Sequence, residues 1–523
     1  MEPVRRAVRL PRPARPVALG LTVALLLAGC VGGKEQSTPS DDGSDSPDQG
    51  TTVDPSLGLD AFYGQTLGWE DCGSGYECTT VQAPLDWDDP TAGAIELAVK
   101  RSPATGSADE RLGSLLVNPG GPGASGVDFL SSVVDYVVGD DVLAAYDIVG
   151  FDPRGVAGSS PVDCGDDETI DAFFTTDFPM ESQADVEAAR ERARAFGEAC
   201  LAATGPVLGE VDTVSAARDM DLIRAVLGDD KLSYLGFSYG TFLGATYADL
   251  YPENVGRLVL DGALDPSMSN DDLVVGQAIG FENALRAYVE DCQQDDACPL
   301  KGTLDQGLAR VAQLVADAEA SPLPAGSGAE VNGTLAWYGI VVTLYDDGSW
   351  PYLTMALDEA INSGTGSTLL ELANFYLDRT PDGSYTANSM VAFQAINCLD
   401  YPMVVRDYDE MVAFADQVAA VAPTFGRDFA MAIGCETWPF PATGERRPIT
   451  AEGAAPILVV GTTGDPATPY EWAVALADQL ASAELLTWEG EGHTAYGRGG
   501  SCVSDVVETY LLEGELPAGG ASC

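Results

Sequence analysis

The sequence predicts an α/β fold, with a mostly parallel central sheet and a large, mainly helical cap inserted before the last strands. Three observations predict it. Short apolar runs alternate with amphipathic stretches through the first half of the chain. The alternation stops from about residue 265 to about residue 450. Strand patterning then returns near the C-terminal end. Strand–helix alternation builds parallel sheets, because two parallel strands need a crossover between them.

Taken in order, residues 95–100, 114–117, 146–151, 232–236 and 258–261 are short apolar runs that end near Gly, Pro or Asp. Each reads as a buried parallel strand. Residues 184–200, 213–227 and 241–251 carry helical spacing between them. Residues 265–450 hold long helical stretches, Gly-rich turns and the aromatics Trp337, Tyr338, Trp350 and Tyr352. Residues 456–461 and 485–488 then complete the sheet, and no internal repeat is present. The expected divisions are a signal segment over 1–29, a tether over 30–57, core over 58–265, cap over 266–450 and core again over 451–523.

The first thirty residues read as an export signal. Arg5, Arg6, Arg9, Arg12 and Arg15 form a basic start, and residues 16–27 are an apolar run. That run falls short of the roughly 20 apolar residues that span a bilayer. Leu27-Ala28-Gly29-Cys30 follows and resembles the lipobox of bacterial lipoproteins. The resemblance implies cleavage before Cys30, lipidation of its thiol and anchoring on the extracytoplasmic face of the membrane. Residues 31–56, rich in Ser, Asp, Gly, Pro and Thr, read as a flexible tether.

Composition narrows the partners. The chain has 26 Lys and Arg against 81 Asp and Glu, a formal net charge of −55. Phosphate binding needs clustered cations, so nucleic acid is excluded as a partner. Beyond Cys30 there are ten cysteines, an even number suited to disulfides in an exported chain. The simplest pairing joins sequence neighbours: Cys72–Cys78, Cys164–Cys200, Cys292–Cys298, Cys398–Cys435 and Cys502–Cys523. Spacing alone leaves that connectivity open. No CxxC pair exists and the chain holds one His, so no metal site is expected.

The chemistry concentrates at four places. Gly236-Phe237-Ser238-Tyr239-Gly240 follows an apolar strand and precedes a helical stretch. In that context the pattern is a nucleophile elbow, with Ser238 at a helix N-terminus that favours negative charge. A serine needs a base, and His493 is the only imidazole available. It lies in a small-residue loop past the last strand. Asp465 ends the penultimate strand 28 residues earlier and is the expected partner of that imidazole, preferred over Glu491. Asn118-Pro119-Gly120-Gly121-Pro122-Gly123 follows the strand over 114–117 and reads as an oxyanion loop. Its expected donors are the N–H groups of Gly121 and Tyr239.

Those motifs, with Gly150-Phe151-Asp152-Pro153-Arg154-Gly155, resemble the prolyl aminopeptidase-like α/β-hydrolases. They look closest to the secreted tripeptidyl aminopeptidases of actinobacteria and their lipoprotein relatives. The resemblance implies a serine exopeptidase that takes peptides with a free N-terminus and releases short peptides, with no cofactor. It also implies carboxylates near the cap that bind the substrate amine, and Asp400 and Glu436 are the candidates. Pro119 stands where simple prolyl aminopeptidases carry a His, which argues against strict proline specificity. The alternatives are a carboxylesterase or lipase with the same triad, or a lipid-anchored binding protein without catalysis. A monomer is expected.

Overall fold

The computed structural model describes residues 50–523, apart from Val133 and Ala432. The export signal, Cys30 and most of the tether lie outside the described residues. Ten strands form one twisted sheet. They are β1 (Glu70–Asp71), β2 (Glu77–Pro84), β3 (Ala94–Ser102), β4 (Gly113–Asn118), β5 (Tyr146–Phe151), β6 (Leu232–Phe237), β7 (Val255–Asp261), β10 (Ile457–Gly464), β11 (Ala483–Glu491) and β12 (Ala521–Ser522). A separate two-stranded hairpin pairs β8 (Leu323–Pro324) with β9 (Glu330–Val331). The spatial order is β1-β2-β3-β5-β4-β6-β7-β10-β11-β12. From β5 to β12 every pairing is parallel. The fold is an α/β-hydrolase.

The central strands explain why their sequences read as unbroken apolar runs. Every residue of β4 and of β5 is buried, as expected where helices cover both faces. Alternate residues feed two cores. Leu115, Val117, Val259 and Val460 pack with Leu130, Val142, Val503 and Val507 on one face. Leu116, Leu258 and Val459 pack with Leu222, Leu243 and Leu476 on the other. Where Gly150 and Gly126 meet, a Cβ on Gly150 would lie 2.1 Å from the Gly126 carbonyl, so only glycine permits that helix to sit so close to β5.

One strand differs from expectation. Residues 95–100 fall in β3, which pairs antiparallel with both β2 and β5. An apolar run specifies burial but not direction, and the loop over 85–93 turns the chain back so that β3 is the return arm of a hairpin with β2. The helix read over 184–200 runs Gln183–Thr204 and joins the cap rather than serving as a simple crossover. Its Arg190 pairs with Glu436. Asp177, just before it, accepts bonds from Gly333 and Thr334 in the cap.

The main insertion lies between β7 and β10. Three of its helices open with reciprocal capping boxes: Ser269 with Asp272, Thr303 with Gln306, and Asp407 with Glu410. Each box satisfies two backbone N–H groups that a helix start leaves unpaired. Five disulfides close local loops: Cys72–Cys78, Cys164–Cys200, Cys292–Cys298, Cys398–Cys435 and Cys502–Cys523. Among the described residues no helix is long and apolar enough to cross a membrane.

Arg154 anchors the loop after β5. Its guanidinium binds both oxygens of Asp219 at 2.7 Å, and neither side chain is exposed. It also donates to the carbonyls of Pro84, Leu85 and Glu210. Trp87 Nε1 donates to Asp219 as well, at 3.0 Å. Removing one partner of such a pair leaves a buried charge without compensation. Arg154→Met is expected to lower unfolding free energy by about 3–5 kcal/mol, measured by urea denaturation, with the double variant Arg154→Met/Asp219→Leu recovering part of the loss.

Candidate active site

Ser238 sits between β6 and the helix Tyr239–Leu250, at φ 56° and ψ −125°. A non-glycine residue held there is strained, and the surroundings fix it. Its N–H donates to the Asp261 carbonyl at 2.9 Å, and its carbonyl accepts from Thr241. Gly120 lies against it: a Cβ there would be 2.5 Å from the Phe237 carbonyl and 2.8 Å from Ser238 Cβ. The oxyanion loop therefore touches the elbow, and any side chain at 120 would push them apart. Gly120 N–H is spent on Asn118 Oδ1 at 2.9 Å. Among the described residues, the N–H groups of Gly121 and Tyr239 have no acceptor within the chain, which leaves both open to a ligand.

Asp465 and His493 meet at the far ends of β10 and β11. His493 Nδ1 lies 2.9 Å from each oxygen of Asp465. Asp465 has no exposed side-chain surface and His493 has 12%. Burying a carboxylate is costly unless donors surround it, and this one has several. Oδ1 accepts from Ala467 N–H at 2.9 Å and Thr468 N–H at 2.8 Å. Oδ2 accepts from Thr468 Oγ1 at 3.0 Å and Thr494 N–H at 3.2 Å. The imidazole bonds to Asp465 and not to Glu491. With Asp465 holding Nδ1, the other ring nitrogen is left to accept a proton.

The cap reaches the same loop. His493 N–H donates to the Tyr345 carbonyl at 2.8 Å, and the Tyr345 ring meets the imidazole edge-on at 5.6 Å. Arg498 bonds the carbonyls of Glu491, His493 and Thr494, and also the carboxylates of Asp346 and Asp347. One guanidinium thus joins the histidine loop to the cap. Tyr345 continues into Phe281, which stacks on Phe429. The imidazole is flanked by an aromatic wall built from the insertion.

Asp400 and Glu436, the expected amine-binding carboxylates, each bond a group of the chain. The Cys398–Cys435 bridge joins their segments, but the two carboxylates turn to different partners. Asp400 is 3% exposed and accepts from Thr213 N–H at 2.9 Å and Thr213 Oγ1 at 2.6 Å. Thr213 Oγ1 also lies 2.5 Å from the hydroxyl of Tyr239. Burial pushes the Asp400 carboxyl up to about 7. Glu436 is held in an ion pair by Arg190. Asp400 therefore braces the residue after Ser238 from behind, through Thr213.

A family profile described as TAP-like protein matches residues 422–523. The chain is 36% identical to serine protease Hip1 of Mycobacterium tuberculosis, over 96% of each chain. It is 39% identical to carboxylesterase B of the same organism, over 85% of this chain and 86% of that one. It is 33% identical to tripeptidyl aminopeptidase of Streptomyces lividans, over 87% and 86%. The chain belongs to the tripeptidyl aminopeptidase-like family of α/β-hydrolases. This tripeptidyl aminopeptidase-like chain is accordingly an enzyme, a serine hydrolase.

Sequence reading missed four residues that shape its site: Thr468, Arg498, Tyr345 and Gly262. Thr468 had a local signal, because Asp-x-x-Thr after a strand allows the carboxylate to receive both groups of the threonine. Arg498 and Tyr345 had none, since their role depends on a contact across about 150 residues. Gly262 follows β7 at φ 69°, and a Cβ there would lie 2.9 Å from Thr494 Cγ2 and 3.2 Å from His493 Cε1. Its missing side chain makes room for the ring. Gly262→Ala is expected to displace the imidazole and lower kcat by about 10²-fold with little change in KM, measured by steady-state hydrolysis of a chromogenic substrate.

Proposed function

We propose that this protein is a serine exopeptidase that hydrolyses peptides from a free N-terminus and releases short peptides, three residues at a time. Ser238 is the nucleophile, His493 the base and Asp465 the residue that orients it. The observation that carries the reading is the buried Asp465–His493 pair, formed by the one histidine in the chain, in a fold whose elbow presents Ser238. Ser238 Oγ attacks the peptide carbonyl while His493 takes its proton. The tetrahedral oxyanion is received by the N–H groups of Gly121 and Tyr239, each donor being worth about 10²–10³ in rate. His493 returns the proton to the leaving amine, and the acyl-enzyme is then hydrolysed by water. The names of the Hip1 and tripeptidyl aminopeptidase relatives support peptides as substrates.

The enzyme works as a monomer outside the cytoplasm, tethered through a lipid on Cys30. The tether over residues 31–56 lets the catalytic unit stand away from the membrane. A second reading, carboxylester hydrolysis, is favoured by the 39% identity to carboxylesterase B. The same triad serves both reactions.

A tripeptide chromogenic amide with a free amine, compared with its N-acetylated twin, separates the two. The exopeptidase reading expects cleavage of the free-amine substrate, loss of about 10³-fold or more with the acetylated one, and no turnover by Ser238→Ala. Equal cleavage of both overturns recognition of the amine and leaves an endopeptidase, and cleavage of simple esters alone transfers the assignment to the esterase.

A further inference from the structure

One buried carboxylate takes no part in the steps above. Asp261 closes β7 and has no exposed surface. It touches both halves of the catalytic apparatus. Its main-chain carbonyl receives the Ser238 N–H at 2.9 Å. Its side chain turns to the histidine loop, where both oxygens accept from Ala495 N–H at 3.0 Å and Oδ2 also accepts from Tyr496 N–H at 2.7 Å. Gly262, the next residue, lies against the imidazole.

The loop needs such an acceptor. Thr494, between His493 and Ala495, sits at φ 65°, a conformation that a β-branched residue rarely adopts. It persists because its neighbours over-determine it. Thr494 N–H is held by Asp465, and the next two N–H groups are held by Asp261. Oδ2 receives both N–H groups and Oδ1 shares that of Ala495, so an ionised carboxylate meets the loop with acceptors alone, whereas a carboxamide would set an NH2 group beside the Ala495 N–H.

We propose that Asp261 is a positioning residue, whose ionised carboxylate fixes the 493–496 loop so that His493 stays aligned with Ser238, and whose protonation frees the loop and slows turnover. The proposal rests on the assignment of Ser238 and His493 given above.

Two physical consequences follow. Burial pushes the Asp261 carboxyl up to about 6, against the opposing pull of the Tyr496 and Ala495 N–H groups. The charged groups facing it are His493, which lowers it, and Asp465, which raises it. The folded-state value lies above the usual carboxylate value of about 4. The stability that this group contributes is therefore full below about pH 4 and is lost as pH rises through about 6. At neutral pH the fold carries a charge without which it would be more stable, and that charge holds the loop. Turnover should respond more than stability when it is removed.

The experiment compares wild type, Asp261→Asn and Ser238→Ala, purified without a polyhistidine tag. It measures kcat and KM from pH 5 to 9 on both a p-nitrophenyl ester and a free-amine peptide amide, together with Tm. It also records the proton resonance of His493 Nδ1, which is unambiguous because the chain has one histidine. For Asp261→Asn at pH 7.5, kcat is expected to fall about ten-fold or more on both substrates, with KM within about two-fold. Tm is expected to change little, since loss of the buried charge offsets the weaker bonding of the Ala495 N–H, and the His493 resonance to shift or broaden. The acid limb of Asp261→Asn should need one proton fewer than that of wild type. A kcat within about two-fold of wild type overturns the proposal, as does a joint fall of kcat and Tm with an unchanged resonance. If Asp261→Asn does not fold, Asp261→Glu decides: an acid limb displaced from that of wild type upholds the proposal and an unmoved limb overturns it. An active Ser238→Ala overturns the nucleophile assignment and this proposal with it. An inactive Ser238→Ala beside a normal Asp261→Asn overturns this proposal alone.

Discussion

The site depends on buried carboxylates that receive backbone N–H groups. Ser238 and Thr494 both occupy conformations that their side chains disfavour, and both loops send backbone N–H groups to acceptors on other elements. Asp465 supplies acceptors to Ala467, Thr468 and Thr494, besides holding the imidazole. Asp152 does the same beneath the oxyanion loop, where it accepts from Ser125 Oγ, Val127 N–H and Gly158 N–H. A buried carboxylate is costly unless such donors surround it, and a strained loop is unstable unless such acceptors hold it. Each requirement answers the other.

Much of this was legible in the chain. Ser238 stood out because an apolar strand preceded it and a helical stretch followed. His493 stood out by elimination, and Asp465 by its place at the end of a strand. The parallel strands declared themselves through unbroken apolar runs, since both faces of β4 and β5 are buried. The edge of the sheet was harder. The antiparallel direction of β3 depends on a hairpin partner, β2, in which polar Thr79, Thr80 and Gln82 interrupt the apolar pattern.

The residues that escaped sequence reading are those defined by distant contacts. Glu436 looks like a free acid until Arg190 arrives from 246 residues upstream. Asp400 looks like a binding group until Thr213 covers it. Acidic residues are so numerous that none announces its role by type. Their tasks come from what the fold places opposite them, and Arg498 acquires its role in the same way, by lying between the cap and the histidine loop.

The order of the triad along the chain has a consequence for biosynthesis. Ser238 is made long before His493, and both Asp465 and His493 lie in the last sixty residues. The nucleophile elbow and the strands beside it belong to the first part of the sheet, and β10 and β11 can dock only on a β7 edge that already exists. If Ser238 and His493 act as proposed, a ribosome-bound or truncated chain that ends before β11 carries a serine without a base. On that assignment, hydrolytic competence waits for β11 and the loop after it, and a chain cut short of them is no protease to its neighbours.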